Sequence, residues 1–464
     1  MGETIMNVIT DLDAISAGQD LTRKLSDQAR TLRYEALSTE ARELARQCVL
    51  DYLACTIAGA SEPLTKIMLA EMAEQGGTGE AVVVGHTVRL PVLSAALVNG
   101  SAAHALDYDD VNLAMPGHPS VAILPALLAM AEANGASGAE ALTAFIAGYE
   151  LQCRVGRVIA PGHYDGLGFH STATIGSFGS AAACAHLLGL DAAQSATALG
   201  IAGTQAAGLK SMFGTMCKPL HAGKAAYNGL LAARLAKRGF DSRMDVLECA
   251  QGFARTHSPD FNPARAFDTP TGGYHLRNNL FKYHAACYLT HGPIEAARVL
   301  RLNHNLTPDR VGTIRLRIDG ATDRVCNIPA PTNGLETKFS LRMTTAMALA
   351  GVETGRLDAY SEQNAADPVL NGLREKVSIE FQSGWPHTKA EMEIETTDGA
   401  RISATYDAGV PAADVMQQGS RLGQKFHALV DPILGVARAR EIVALVQRFD
   451  SLADLRTLAK ACAA

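Results

Sequence analysis

The chain has 464 residues, 47% of them hydrophobic and only 5% aromatic, with 42 glycines, one tryptophan and a formal net charge of −6. That length exceeds what a single core usually supports and points to two domains, while a composition rich in small residues and poor in aromatics fits closely packed helices better than an all-β sandwich. Lys and Arg are scattered among acids, which excludes a basic field for nucleic acid, and nine cysteines without a CxxC pair read as reduced thiols of a cytoplasmic protein.

In chain order, MGETIMNVITDLDAISAG lacks the basic and then apolar stretches of a signal peptide, and Met6 stands where a myristoylation pattern wants Ser or Thr after Gly2. No apolar run reaches membrane-spanning length without a charge, Pro or Gly, so no membrane partner is expected. From about residue 20 to 275, ARELARQCVLDYLACTIAGA, LPVLSAALVNGSAAHALDY, HPSVAILPALLAMAEANG and AEALTAFIAGYELQCRVGRVI carry apolar residues at helical spacing, with Gly closing most of them. STATIGSFGSAAACAHLLGLD and PLHAGKAAYNGLLAARLAKRGFD add Ala, Gly and Ser at the same period and predict helices in close backbone contact. GGTGEAVVVG lacks the order of a nucleotide loop and reads as a hairpin turn.

After residue 276 the period changes to two in VGTIRLRI, KVSIEFQS, KAEMEIETTD and RISATYDAG, as in half-buried strands. Helical stretches, HAACYLTHGPIEAARVLRL and KFSLRMTTAMALAG, lie among them. FHALVDPILGVARAREIVALVQRFDSL then returns to helix. The expected fold is mainly α: a large helical domain from residues 1–275 and 410–464, with a smaller α+β domain at 276–409 inserted in it.

Four cations stand at or just before predicted helix starts: His118, His170, Lys218 and Lys282. Helix starts carry free N–H groups and the positive end of the macrodipole, so cations there make sites for carboxylates or phosphates. His118 lies between Gly and Pro, a place that neither helix nor turn formation explains. A Gly-rich approach precedes His170, with Ser171 as a candidate cap. Pro219 is expected at the first helical position, holding Lys218 at the entrance. HALDYDDVNLAMPGHPS gathers His104, Asp107, Asp109, Asp110 and His118. It lacks the regular spacing and turn Gly of hard-cation loops, so no metal is expected, and a loop with Asp caps and Ser120 as N-cap explains Asp109 or Asp110. The chain has no GxSxG elbow and no HExxH.

HALDYDDVNLAMPGHPSVAILPALLAMAE, GFHSTATIGSFGSAAACAHLLGLD, KPLHAGKAAYNGLLAARLAKRGF, FKYHAACYLTHGPIEAA and KFSLRMTTAMALA, in that order over nearly the whole chain, resemble the MmgE/PrpD family. That group includes 2-methylcitrate dehydratase, cis-aconitate decarboxylase and iminodisuccinate epimerase. The resemblance implies a helical domain completed by the C-terminus, an inserted α+β lid, a homodimer and a cleft active site without cofactor. Its site positions match Asp107, His118, His170, Lys218 and Lys282. Val111 stands where the family commonly has Thr, with Asn112 beside it as a candidate substrate contact, and Met343 stands where its Tyr is expected.

Such enzymes work at a carbon next to a carboxylate, where cations stabilise developing charge and a His moves a proton. The expected roles are His170 as general base or acid, His118 as acid or base on the opposite face, Asp107 as its orienting partner, and Lys218 and Lys282 as carboxylate clamps. Epimerisation needs only two proton-transfer groups, so the hydroxyls absent at Val111 and Met343 favour an epimerase of the iminodisuccinate type. The rival expectations are a 2-methylcitrate-type dehydratase, an aconitate-type decarboxylase and, outside enzymes, an inactive carboxylate-binding scaffold.

Overall fold

The computed structural model describes residues 19–464, so the readings on signal peptide and myristoylation fall on residues outside those described. Packing divides the chain into two units: one runs to Phe281 and resumes at Asp414–Ala464, and the other is Lys282–Ala413.

The first unit contains helices α1 (Leu21–Thr31), α2 (Thr39–Gly59), α3 (Pro63–Glu74), α4 (Val92–His104), α5 (Pro119–Asn134), α6 (Gly138–Ile159), α7 (Ser171–Leu187), α8 (Ala192–Gly203) and α9 (Cys217–Lys237). Several ends are written locally. Ser38 caps α2 by accepting the Ala41 N–H, and reciprocal Ser137–Glu140 and Asp191–Gln194 pairs start α6 and α8. Gly135, at φ 66°, closes α5 in the left-handed conformation that glycine adopts without penalty. The GGTGEAVVVG stretch leads into an antiparallel hairpin of β1 (Ala81–Val82) and β2 (Arg89–Leu90).

The small-residue text produces backbone-to-backbone packing. A Cβ placed on Gly100 of α4 would meet the Gly223 Cα of α9 at 2.8 Å, and one on Gly223 would meet the Leu97 carbonyl oxygen at 2.2 Å. In the same way, a Cβ on Gly148 of α6 would meet the Gly179 carbonyl of α7 at 2.4 Å. Gly223→Ala therefore has no room without parting α4 from α9, and it is expected to destabilise the protein by about 1–3 kcal/mol in equilibrium urea denaturation.

The second unit carries α10 (His291–His304), β3 (Val311–Asp319), α11 (Leu341–Leu349), α12 (Pro368–Glu375), β4 (Val377–Gln382), β5 (Lys389–Thr396) and β6 (Arg401–Asp407). All four alternating segments form strands, in the order β4-β3-β5-β6, with β3 and β4 parallel and the other pairs antiparallel. The period-two pattern buries Ile314, Leu316 and Ile318 of β3 with Met392 and Ile394 of β5, against Ile294, Ala297 and Leu300 of α10 and Leu341 and Leu349 of α11. The other face exposes crossed ion pairs, with Arg315 3.1 Å from both Glu380 and Glu393.

The chain then re-enters the first unit through α13 (Val415–Leu434) and α14 (Val436–Gln447). Its anchor on α2 is polar as well as apolar: Lys425 Nζ lies 2.6 Å from Asp51 Oδ1 and donates at 2.7 Å to the Tyr108 carbonyl, with both charged side chains almost wholly buried. The molecule is mainly α with a minor β portion, as the composition implied. Among the described residues, no helix is long and apolar enough to cross a membrane.

Candidate active site

Three helix starts of the first unit meet at one place. His118 is the N-cap of α5 and His170 that of α7, and Lys218 lies in the first turn of α9. Two local expectations change here. Lys218 takes helical geometry although Pro219 follows it, so α9 begins one residue before it, at Cys217. Neither Ser120 nor Ser171 is a cap. Asp110 tends the α5 start instead, accepting from Ser120 N at 3.3 Å and Ser120 Oγ at 2.5 Å, and Ser171 is already the first residue of α7.

The loop from His104 to His118 supplies the acids. Asp107 takes φ 50°, a left-handed turn that Asp tolerates better than most residues, and its half-exposed carboxylate meets Lys218 Nζ at 2.7 Å and His118 Nε2 at 3.6 Å. Asp109 is buried between two imidazoles, 2.9 Å from His104 Nδ1 and 2.9 Å from His118 Nδ1. Burial alone would raise its pKa, but His104 and His118 outweigh it and hold the carboxyl well below the usual range. His118 N–H donates to Thr172 Oγ1 at 3.0 Å, which ties the loop to α7.

The His170 ring is only 2% exposed. It stacks on His104 with centroids 5.9 Å apart, meets Phe213 edge-on at 5.0 Å and places Nδ1 3.0 Å from Nδ1 of His221. Its pKa lies well below the ordinary histidine value, first through burial and then through the nearby charges of His104, His118, Lys218 and His221. At neutral pH it is a neutral imidazole able to accept at one nitrogen and donate at the other.

Thus Asp107, His118, His170 and Lys218 stand together, and His104, Asp109, His221 and Phe213 join them. Lys218 and His221 are three residues apart on one helix, a spacing that puts side chains on a shared face and could have revealed His221 from sequence. Asn112 does not fit a substrate contact. It is buried, its Nδ2 donates to Tyr149 Oη and the His275 carbonyl at 3.0 Å each, and its Oδ1 accepts from Ala114 N at 2.9 Å, so it braces the loop.

Lys282 belongs to the second unit and is not at a helix start, because α10 begins only at His291 after a short 3-10 turn. It is buried, and its charge acts on His291, whose pKa is pushed down by burial and then by the charges of His284 and Lys282. Met343 is fully buried within α11, where it packs as a core residue.

One ligand atom each from His104, Asp107, Asp109 and His118 lies within 4.8 Å of the others, close enough for a metal ion. The Lys218 ammonium already supplies a cation to Asp107, and both imidazoles already face the Asp109 carboxylate, so we read the group as a proton-handling network.

Asp110 is buried beside Asp51, and burial followed by that neighbour raises its pKa to about 7. The folded state therefore binds its proton more tightly than the unfolded chain does, and stability falls as pH rises from about 4 to 7, then levels off. Asp110→Asn is expected to remove up to about 1.4 kcal/mol per pH unit from that slope, as read from urea midpoints between pH 5 and 8.

Residues 23–266 match the MmgE/PrpD N-terminal domain and residues 284–451 the MmgE/PrpD C-terminal domain. The chain is 28% identical to cis-aconitate decarboxylase of Aspergillus terreus, over 96% of each chain. It is 27% identical to the cis-aconitate decarboxylase of Mus musculus, over 95% of this chain and 93% of that one. With 2-methylcitrate dehydratase of Escherichia coli (strain K12) it shares 26% identity, over 80% of this chain and 82% of the relative.

Proposed function

Because the chain belongs to the MmgE/PrpD family, we propose that it is a lyase acting without a cofactor at a carbon next to a carboxylate, its first candidate reaction the decarboxylation of an unsaturated tricarboxylic acid of the cis-aconitate kind. The observation that carries this reading is the meeting of Asp107, His118, His170 and Lys218 at three helix starts. Loss of carbon dioxide leaves an electron pair that spreads toward a neighbouring carboxylate, and the Lys218 ammonium is a cation for that charge. A proton must then reach carbon, which is the role of His170, while His118, backed by Asp107 and Asp109, serves the other face.

Dehydration of a 2-methylcitrate-like acid is the second reading, favoured by the likeness to the dehydratase. It needs a proton donor for the departing hydroxyl, and the positions expected to supply hydroxyls hold Val111 and Met343. Decarboxylation has no such need. Epimerisation, the reaction that the missing hydroxyls alone favoured, finds no support in relatives that are named as lyases. Lys282 as a second carboxylate clamp, a cytoplasmic location and a homodimer remain parts of the proposal.

The test is incubation of purified protein with cis-aconitate and with 2-methylcitrate in deuterated water. Carbon dioxide release with deuterium on a product carbon supports the first reading. Alkene absorbance growing from 2-methylcitrate supports the second. Inversion at carbon with neither product returns the epimerase, and binding of both acids without any conversion points to the scaffold.

A further inference from the structure

His221 has no role in the account so far, yet its position is specific. Its Nδ1 lies 3.0 Å from Nδ1 of His170. Two neutral imidazoles at that distance hold one proton between them, so one Nδ1 carries hydrogen and the other a lone pair, and the Nε2 atoms take the opposite states. With Nδ1 committed to His221, Nε2 is the nitrogen that His170 has left for a substrate. The two residues differ in exposure: His170 is buried, while His221 is only half-buried.

Gly208 holds the pair. Its carbonyl accepts the His170 N–H at 3.0 Å. A Cβ built on it would meet Ala173 Cβ at 2.4 Å and the His221 ring at 3.4 Å, so the bare backbone lies against the relay.

We propose that His221 is a proton relay for the buried His170, passing a proton to its Nδ1 as the Nε2 proton goes to substrate, so that His170 never becomes an imidazolate. The idea rests on the lyase reading, because decarboxylation consumes one proton per turnover and that proton must come from outside. The step balances: His221 Nε2 takes a proton from water or buffer, its Nδ1 proton passes to Nδ1 of His170, and the Nε2 proton of His170 goes to carbon. Both rings stay neutral with their tautomers exchanged. After product departure water protonates His170 Nε2, the Nδ1 proton returns to His221 Nδ1, and His221 Nε2 releases its proton to solvent, so the one proton gained by carbon comes from water. His221 acts through His170 and is therefore a positioning residue.

Two measurements test the relay. In ligand-free, 15N-labelled protein, the Nδ1 atoms of His170 and His221 are expected to appear as one protonated and one bare nitrogen joined by a coupling across the hydrogen bond, lost in His221→Gln. Two bare Nδ1 atoms, or no coupling, overturn the proposal whatever the substrate proves to be. In turnover of cis-aconitate, His221→Ala is expected to lower kcat by about 100-fold with KM changed by less than about twofold, and added imidazole is expected to restore at least about tenfold of the loss. His221→Gln, which keeps a polar side chain on α9, is expected to lose the same kcat at an unchanged melting temperature. A loss that imidazole does not relieve, or a raised KM with kcat intact, overturns the relay. If the wild-type protein converts neither cis-aconitate nor 2-methylcitrate, the lyase reading fails, and the nitrogen spectrum still decides the shared proton.

Discussion

Replacing His170 with alanine abolishes turnover in a protein that remains folded: kcat/KM is expected to fall by about 1,000-fold or more while the circular dichroism spectrum is unchanged. The ring closes the centre of the network, against His104, Phe213 and His221, so truncation removes the proton-transfer group and disconnects His221 in one step. The fold tolerates the change because the backbone of His170, which donates to Gly208 and accepts from Ala173 N–H and Thr174 N–H, is untouched. Since burial and neighbouring cations hold His170 neutral, the pH–rate profile of the wild-type enzyme should show no His170 limb near 6.5. Wild-type turnover by His170→Ala would remove the residue from the mechanism.

The second large effect is on stability. Lys425→Met is expected to cost about 3–5 kcal/mol in urea denaturation, because it leaves the Asp51 carboxylate buried without the ammonium 2.6 Å away. The same variant removes the donor to the Tyr108 carbonyl, and Tyr108 stands between Asp107 and Asp109, so turnover should fall further than the stability loss explains. Replacing both members, Asp51→Leu with Lys425→Met, is expected to recover most of the stability, since a buried pair exchanged for apolar groups of similar size is often nearly neutral. It should recover little of the activity, because the Lys425 hydrogen bond to the Tyr108 carbonyl is still missing. Full recovery of both would mean that Lys425 acts on the fold alone.

The helices and strands were legible where their periods are strong: the alternation in β5 and the spacing of Leu422, Phe426, Leu429 and Val430 in α13 leave one choice each. The catalytic candidates Asp107, His118, His170 and Lys218 were legible because helix starts and loop polarity are local signals. What the sequence hid depends on chain geometry at a distance. His104 ends a helix and reads as a C-terminal cation, and only the left-handed turn at Asp107 brings Asp109 back against it. Asn112 reads as a polar neighbour of the acids, yet its amide is taken by Tyr149 and the His275 carbonyl, residues far along the chain. HAACYLTHGP has helical spacing and so suggests a helix start at Lys282, but the chain makes only a 3-10 turn at Tyr288–Thr290 before the helix begins at His291, just ahead of Pro293.

The contact of Gly100 with Gly223 bears on how such an enzyme can change its substrate. His104 follows Gly100 by four residues and Lys218 precedes Gly223 by five, so each functional side chain sits about one turn from the point where α4 and α9 touch. Enlarging a residue at that fulcrum would swing the imidazole and the ammonium apart together, which leaves no gradual route to a roomier site through the helices. Adaptation to a bulkier acid is expected instead in the segments between helices, chiefly residues 204–216, where the partly exposed Phe213 packs against His170 and Lys218.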